Sequence, residues 1–401
     1  MKKTLAAVAV LGAFAGSALA ADVTLYGRVD TGFQYNHTNP ADGKSTSKFS
    51  MEPGQSSGSR WGLKGVEDLG AFKVGFILED GFASDNGAEK GVMFDRESSL
   101  FIEGAFGKLA VGRIGSINQG TGSWAQIGSG SVSPFGTSYG TAAVSQILVT
   151  DKVRDNMIAY KTPTFAGVTG FVQYSAGDEK NDKGEDVAGT ENESTKDRYY
   201  AVGVTYANGP VNALFSVDSI NYKSYYGTDG YGRDVNDSLT VTGAAAYNFD
   251  VAKVYFAAQY FDEVKAKNDF GYWAAVDAAL KEASLPQAKI SQKVKGYALT
   301  AGVGAPVAGG TLMAAIGYMD AESADSTEND VAAFVGNDHK MDVDLKRYQI
   351  AVGYNYSLSK RTSVYAAASV IKDKGKITFD DAKDEAKEVK TQAMFGLLHT
   401  F

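Results

Sequence analysis

The sequence predicts an all-β protein, a 16-stranded antiparallel transmembrane β-barrel. Three observations support this prediction: polar and apolar residues alternate along many short segments, the connectors are short and long in turn, and the composition is unusual. The 401 residues include 46 Gly, 22 Tyr and 21 Phe but 7 Pro, which suits many strands, tight turns and aromatic girdles. Length alone would allow two or three globular domains, but this composition favours one barrel.

The clearest strand lies near the start of the chain. One face carries Val23, Leu25, Gly27, Val29, Thr31, Phe33 and Tyr35, and the other carries Thr24, Tyr26, Arg28, Asp30, Gln34 and Asn36. A period of two indicates a strand with one apolar and one polar face. The same alternation recurs around residues 72–79 and 253–260.

The connectors predict the number of strands. Seven short turns are expected at Asp68 to Ala71, Gly104 to Lys108, Thr162 to Gly167, Ala207 to Pro210, Asn248 to Val251, Ala305 to Gly310 and Ser357 to Lys360. Together with eight long loops they fit about sixteen antiparallel strands, with both termini at the end of the short turns. A soluble sandwich has no reason to extend every second connector far into water.

The first twenty residues have the pattern of a secretory signal peptide. Lys2 and Lys3 precede an apolar run, and Ala18-Leu19-Ala20 resembles a cleavage site. We therefore expect residues 1–20 to be removed and residues 21–401 to form the barrel. Since no later segment approaches the ~18 apolar residues of a membrane-spanning helix, strands would have to cross the membrane.

Charge and cysteine content exclude several functions. The 39 basic and 47 acidic residues give a net charge of −8, and removal of Lys2 and Lys3 leaves 37 basic residues and a charge of −10. Nucleic acid is therefore not expected as a partner. The chain has no cysteine, which excludes disulfides and thiolate metal sites.

The long loops are mostly acidic. Two of them, 178–197 and 320–330, are rich in carboxylates, and 380–390 carries mixed charges. They could be solvated external loops or could bind divalent cations that bridge surface lipids, although no calcium-loop pattern is present. Residues 270–280 have the apolar spacing of a short helix packed on a loop base.

Enzyme signatures are weak. Residues 54–58 match the G-x-S-x-G string, but they lie in a Ser/Gly-rich loop without the strand-turn-helix setting of a nucleophilic serine. The three histidines, His37, His339 and His399, are too far apart in sequence to indicate a metal pair or a catalytic base. We expect no catalytic residues, no cofactor and no metal.

Two arginines are placed by the alternation itself. Arg28 lies on the polar face of the first strand and Arg60 opposite Trp61 and Leu63 in the next. Both should point into the lumen, where they are either solvated wall residues or part of the field of a pore. Arg113 is not placed inside by alternation, because it shares a face with Leu109 and Val111.

Four short stretches carry a resemblance to a known family. They are TLYGRVDTGF (24–33), SRWGLKGVEDLG (59–70), FGKLAVGR (106–113) and FGLLHTF (395–401). Their order and spacing resemble the trimeric general diffusion porins of Gram-negative bacteria, proteobacterial outer-membrane proteins. The resemblance implies a basic cluster of Arg28, Arg60 and Arg113 at a pore constriction, with Arg154 as a further member.

The same resemblance implies a third loop that folds into the barrel and narrows the pore. This constriction loop should span residues 115–150, where SPFGTSYG (133–140) resembles the family's P-E-F-G-G turn without its glutamate. The loop has no Asp or Glu, so the carboxylates that usually face the arginines are missing and anion preference is expected.

The function that these expectations give is a water-filled channel. It would allow passive diffusion of small hydrophilic solutes and ions across the bacterial outer membrane, as a homotrimer in contact with outer-membrane lipids and lipopolysaccharide. The alternative is a secreted or surface all-β adhesin without channel activity.

Overall fold

A computed structural model describes residues 23–40, 43–128, 131–177, 197–222, 225–226, 232–233, 236–265, 293–325, 341–379 and 382–401. The predicted signal peptide, the predicted helix at 270–280, residues 178–196 of the first acidic loop and residues 326–330 of the second lie outside the described residues. Nineteen strands are found in the described part of the chain.

The strands are β1 (Thr24–Asn39), β2 (Thr46–Pro53), β3 (Arg60–Asp68), β4 (Phe72–Gly81), β5 (Glu97–Gly104), β6 (Gly107–Gly115), β7 (Val153–Lys161), β8 (Val168–Ser175), β9 (Arg198–Asn208), β10 (Val211–Asn221), β11 (Tyr225–Tyr226), β12 (Gly232–Arg233), β13 (Leu239–Asn248), β14 (Lys253–Lys265), β15 (Lys293–Val307), β16 (Gly310–Ser323), β17 (Met341–Ser357), β18 (Thr362–Phe379) and β19 (Ala382–Thr400). The dipeptides β11 and β12 form a separate hairpin.

The other strands close into a barrel. Neighbours in sequence pair antiparallel, and β19 returns to pair with β1 along Arg28↔Thr400 to Asn39↔Val389. On its other side, residues 24–28 of β1 pair with β3 and residues 31–38 pair with β2. The two strands β2 and β3 therefore occupy one position in the barrel and are separated by residues 54–59. In the described residues the barrel thus has sixteen strand positions, and the predicted fold is confirmed.

The turns at one end of the barrel are short. All seven predicted turns are observed, for example residues 105–106 between β5 and β6. The C-terminus closes the same end, where Gly27 and Phe401 exchange two backbone hydrogen bonds of 3.2 and 3.0 Å. At the other end, the predicted loops 320–330 and 380–390 are shorter than expected, because residues 320–323 belong to β16 and residues 382–390 belong to β19.

The two faces of the wall differ in polarity. Large apolar side chains cover the outside, such as Val202, Phe215, Ile316 and Ile350, which is 66% exposed. Directly opposed partners on neighbouring strands share a face, so the register places Ser216, Thr242 and Gln259 together on the inside, where all three are buried. No helix in the described parts of the chain is both long and apolar enough to cross a membrane.

Between β6 and β7, the described residues 116–128 and 131–152 fold into the barrel. They contain two 3-10 turns, Gly140–Ala142 and Val144–Gln146. Ile127, Val144, Ile147 and Leu148 are at most 1% exposed and form a core with inward residues of β10 and β13 to β17. Burying a large aliphatic side chain contributes about 1.5–3 kcal/mol, so this segment is held against the inner wall. We call it the constriction loop.

Candidate functional site

Four glutamines on the wall hold the backbone of the constriction loop. Gln173 of β8 accepts from Ile117 N (2.7 Å) and donates to Gly115 O, and Gln259 of β14 binds both backbone groups of Val149. Gln349 of β17 donates to the carbonyls of Thr141 and Ala143, and Gln392 of β19 accepts from Thr141 N. All four are at most 5% exposed. They satisfy buried loop backbone groups that no neighbouring strand pairs.

Four wall glycines make room for the loop's apolar side chains. A Cβ atom at Gly203, Gly302, Gly317 or Gly353 would overlap Ile117, Pro134, Ile147 or Phe135, respectively. Only a residue without a side chain allows such close approach. The glycines and glutamines together fix the height and position of the loop.

A second inward segment faces the constriction loop. Residues 54–59, between β2 and β3, are held by buried Asp30, whose carboxylate accepts from Ser57 N (2.6 Å) and Tyr365 OH (2.5 Å). The loop reaches this segment through Tyr139, whose N–H donates to Gln55 O at 2.6 Å. The Tyr139 hydroxyl accepts from Ser56 Oγ at 3.0 Å.

Three arginines and one glutamate lie beside these segments. Arg28 of β1 donates to Ser57 Oγ at 2.9 Å. Arg60 of β3 and Arg96, just before β5, approach the Glu79 carboxylate at 3.4 and 2.7 Å. We call Arg28, Arg60 and Arg96 the arginine cluster. Asp30 also interacts electrostatically with Arg28, so two carboxylates oppose three guanidinium groups and the cluster keeps a net positive charge.

The arginine cluster borders an open cavity of about 720 Å³ between the wall and the constriction loop. Its polar lining includes residues 55–58 and, from the loop, Thr121, Ser133, Thr137, Ser138 and Tyr139, with Tyr255 of β14 also on its border. Glu52 is the one carboxylate among the described residues that line it. The cavity is therefore lined mainly by polar groups, with the three arginines on one wall.

The four arginines predicted for the constriction do not all meet here. Arg28 and Arg60 border the cavity, whereas Arg113 and Arg154 are not part of its lining. Arg113 donates to Asp95 O at 2.8 Å and pairs with Asp155. A bulge after Gly112 shifts the β6–β7 register at this point, and the side chains of both ion-pair partners are about one-quarter exposed.

Arg154 is enclosed between the wall and the base of the constriction loop. It is 2% exposed, binds Asp151 through two bonds of 3.0 and 2.6 Å, and lies 5.0 Å from the Tyr199 ring centroid. Asp218 is buried nearby and interacts electrostatically with both Arg154 and Asp151. Arg154 thus neutralises buried carboxylates.

Sequence reasoning did not identify Arg96. This residue precedes β5 in a connector without alternation, so no strand face assigns it to the lumen. The signal that could have indicated it is Glu79, which alternation places on the polar face of β4. A carboxylate on an enclosed inner wall needs cationic partners, and Arg96 is one of them. Among the described residues, no group of three or more His, Cys, Asp or Glu could hold a metal ion.

Comparisons with known proteins agree with this architecture. Residues 6–376 match the family described as Gram-negative porin. The chain is 31% identical, over the full length of both chains, to an outer membrane porin protein of Bordetella pertussis, and 30% identical to outer membrane porin protein 32 of Delftia acidovorans, again over both full lengths. Among solved structures, the anion-selective porin from Comamonas acidovorans is 26% identical, with a TM-score of 0.63 over 95% of this chain and 100% of that one.

Proposed function

Since this chain belongs to the Gram-negative porins, we propose that its outer-membrane channel prefers anions and that the arginine cluster sets this preference. The protein lies in the outer membrane and forms a water-filled passage for the passive diffusion of small hydrophilic solutes. The observation that carries the proposal is the set of Arg28, Arg60 and Arg96 on one wall of the cavity, opposite a loop without Asp or Glu between residues 115 and 150.

Local charge should outweigh the negative charge of the whole chain. Fields of exposed loop carboxylates decay within a Debye length of about 8 Å, whereas the constriction is walled by protein of low dielectric. A unit charge ~7 Å from an arginine, at an effective dielectric near 20, interacts with it by roughly 2.4 kcal/mol. Even a partly screened cluster would then favour anion entry several-fold.

Two further observations support a preference for anions. Glu79 balances part of the cluster, but it is shared by two guanidinium groups, so positive charge remains. The solved porin from Comamonas acidovorans with 26% identity to this chain is described as anion-selective.

We extend the proposal to assembly and partners. The protein is a homotrimer that contacts outer-membrane lipids and lipopolysaccharide, and it passes small hydrophilic solutes and ions. The continuous apolar outer surface, with exposed Ile316, Val352 and Ile350, supports contact with lipid. An unheated sample in mild detergent should migrate as a trimer, and a heated one as a monomer.

Reversal potentials in a planar bilayer across a KCl gradient test the selectivity. The parent should prefer chloride, and Arg28→Gln/Arg60→Gln/Arg96→Gln should shift the potential towards potassium. Lys44→Gln/Lys90→Gln/Lys360→Gln removes the same charge from exposed positions in connectors and should leave the potential nearly unchanged. Potassium preference in the parent would refute the proposal, as would equal shifts in the two variants.

A further inference from the structure

The outer face of the barrel carries a row of lysines. Lys374 of β18 lies directly opposite Lys346 of β17 on one side and Lys387 of β19 on the other. Lys372 and Lys376 flank Lys374 on the same face of β18. The inward neighbour Asp373 is 3% exposed, whereas Lys372, Lys374 and Lys387 are exposed, so the row points outward.

Such a row is unfavourable by itself. Directly opposed residues on antiparallel strands have Cβ atoms about 4.5–5.5 Å apart, and like charges at this distance are destabilising. The neighbouring carboxylates lie at the edges of the row: Asp320 is 3.2 Å from Lys346, Asp344 is 4.0 Å from Lys376, and Glu385 of β19 lies directly opposite Lys376. In the described part of the chain, Lys372, Lys374 and Lys387 form no ion pair with a carboxylate.

The position of the row relative to the apolar band is specific. On the same face of β17, Lys346 is followed by Tyr348, Ile350, Val352 and then Tyr354 and Tyr356. From Tyr348 to Tyr356 a strand tilted by ~40° rises roughly 20 Å, close to the ~25 Å apolar band of membrane barrels. Tyr348 forms a girdle with Tyr318 and Tyr297 through ring contacts of 5.2 and 6.0 Å. Lys372 lies directly opposite Tyr348 at the girdle, and Lys346 and Lys374 lie just beyond it.

The row lies at the end of the barrel that carries the long connectors, because the seven short turns and the C-terminus are at the other end. In membrane barrels of this kind the long loops are extracellular. The lysines thus lie at headgroup level of the outer leaflet, with Ile350, Val352 and Ile316 exposed below them.

We propose that Lys372, Lys374 and Lys387, with Lys346 at their edge, bind the phosphate groups of an outer-leaflet glycolipid whose acyl chains lie on the apolar band. An anion bound between opposed ammonium groups removes their repulsion, and charge-assisted hydrogen bonds to phosphate are strong. This inference rests on the lipopolysaccharide contact proposed above and names the residues that form it.

Native mass spectrometry of the detergent-solubilised protein with diphosphoryl lipid A tests the site. The parent should retain lipid A, and Lys372→Gln/Lys374→Gln/Lys387→Gln should retain at least five-fold less. The control Lys44→Gln/Lys48→Gln/Lys90→Gln, with the same charge change on exposed lysines at the same end, should retain as much as the parent. Dephosphorylated lipid A should be retained poorly by all three proteins.

Each other outcome overturns the proposal. Equal retention by the parent and the triple variant would refute this site but leave the lipid contact standing, whereas no retention by the parent would refute both. Displacement of lipid A by millimolar inorganic phosphate would indicate a free-anion site instead. Unchanged bilayer conductance and heat-modifiable mobility show that the variant is folded, and they report on the channel independently of lipid binding.

Discussion

The side-chain amide of Gln259 forms both hydrogen bonds of a strand partner with the backbone of Val149. Its Oε1 accepts from Val149 N at 2.7 Å and its Nε2 donates to Val149 O at 3.0 Å. The same amide also donates to Thr242 Oγ1 at 2.9 Å. A wall residue thus replaces the missing neighbour strand for a loop inside the barrel.

Replacing Gln259 should loosen the constriction loop. Gln259→Leu leaves the buried N–H and C=O of Val149 unpaired, which costs about 1–3 kcal/mol per group, so the loop base should detach and single-channel current noise should increase. Gln34→Leu is the control: it makes the same change at a cavity-lining residue of β1 that has no described hydrogen bond to the loop. Its single-channel current noise should equal that of the parent. Equal noise in the two variants would contradict the role of Gln259.

The fit between Gly317 and Ile147 predicts a stability effect that a second substitution reverses. Gly317→Val should lower the unfolding temperature because overpacking costs about 1–3 kcal/mol, and Ile147→Ala in the same chain should restore much of the loss. Gly243→Val is the matched control, since a Cβ there meets nothing within 4 Å. Thermal unfolding followed by circular dichroism measures the parent, Gly317→Val, Ile147→Ala, their double variant and Gly243→Val, and additive effects of the Gly317 and Ile147 changes would argue against direct contact.

Glu79 should weaken anion preference in the parent channel. Glu79→Gln removes the carboxylate that lies 3.4 Å from Arg60 and 2.7 Å from Arg96, so the net charge of the site rises by one and the reversal potential should move further towards chloride. Glu103→Gln changes the same charge at a side chain that is 50% exposed and should have little effect. A shift of the Glu79 variant towards potassium would disprove this reading of the cluster.

Arg96 and Arg113 should differ in their effect on selectivity although they are equal in charge. Arg96 lines the cavity, so Arg96→Gln should reduce chloride preference. Arg113 is paired with Asp155 outside the cavity lining, so Arg113→Gln should leave the reversal potential unchanged within error. If Arg113→Gln produced the larger shift, the constriction would lie elsewhere.

Arg154 should matter for stability rather than for conduction. Arg154→Leu leaves Asp151 buried without its guanidinium partner, with Asp218 close by, and breaking one side of a buried pair costs about 3–5 kcal/mol. The yield of folded, heat-modifiable protein should fall. Arg154→Leu/Asp151→Asn should recover part of that yield, and a double variant no better than the single one would contradict the charge argument.

The sequence predicted features that depend on local pattern. Period-two alternation and short turns located the strands, and the polar face of β1 placed Arg28 correctly inside. The ends of β16 and β19 were misjudged, because charged residues such as Lys387 were assigned to solvent loops although strands of a barrel can extend beyond the membrane. Charge alone does not distinguish the two cases.

Contacts across long sequence separations were not predictable. Gln259 and Val149 are 110 residues apart, and nothing in the neighbourhood of a wall glutamine shows that a loop backbone will lie against it. Arg113 and Arg154 were assigned by family resemblance, whereas their partners are Asp155 in β7 and Asp151 just before it, where a bulge changes the β6–β7 register. Alternation is interrupted there, so sequence parity cannot tell which side of the wall a residue faces.

The four glycines in contact with the constriction loop limit which loops this barrel can accommodate. Because Gly203, Gly302, Gly317 and Gly353 each match one apolar residue of the loop, the loop is not an interchangeable part. A loop transplanted from a relative will seat only if its bulky residues meet these gaps, or if the strand positions are exchanged with it. Divergence of pore size in such channels should therefore proceed by paired changes, one in the insert and one in the wall.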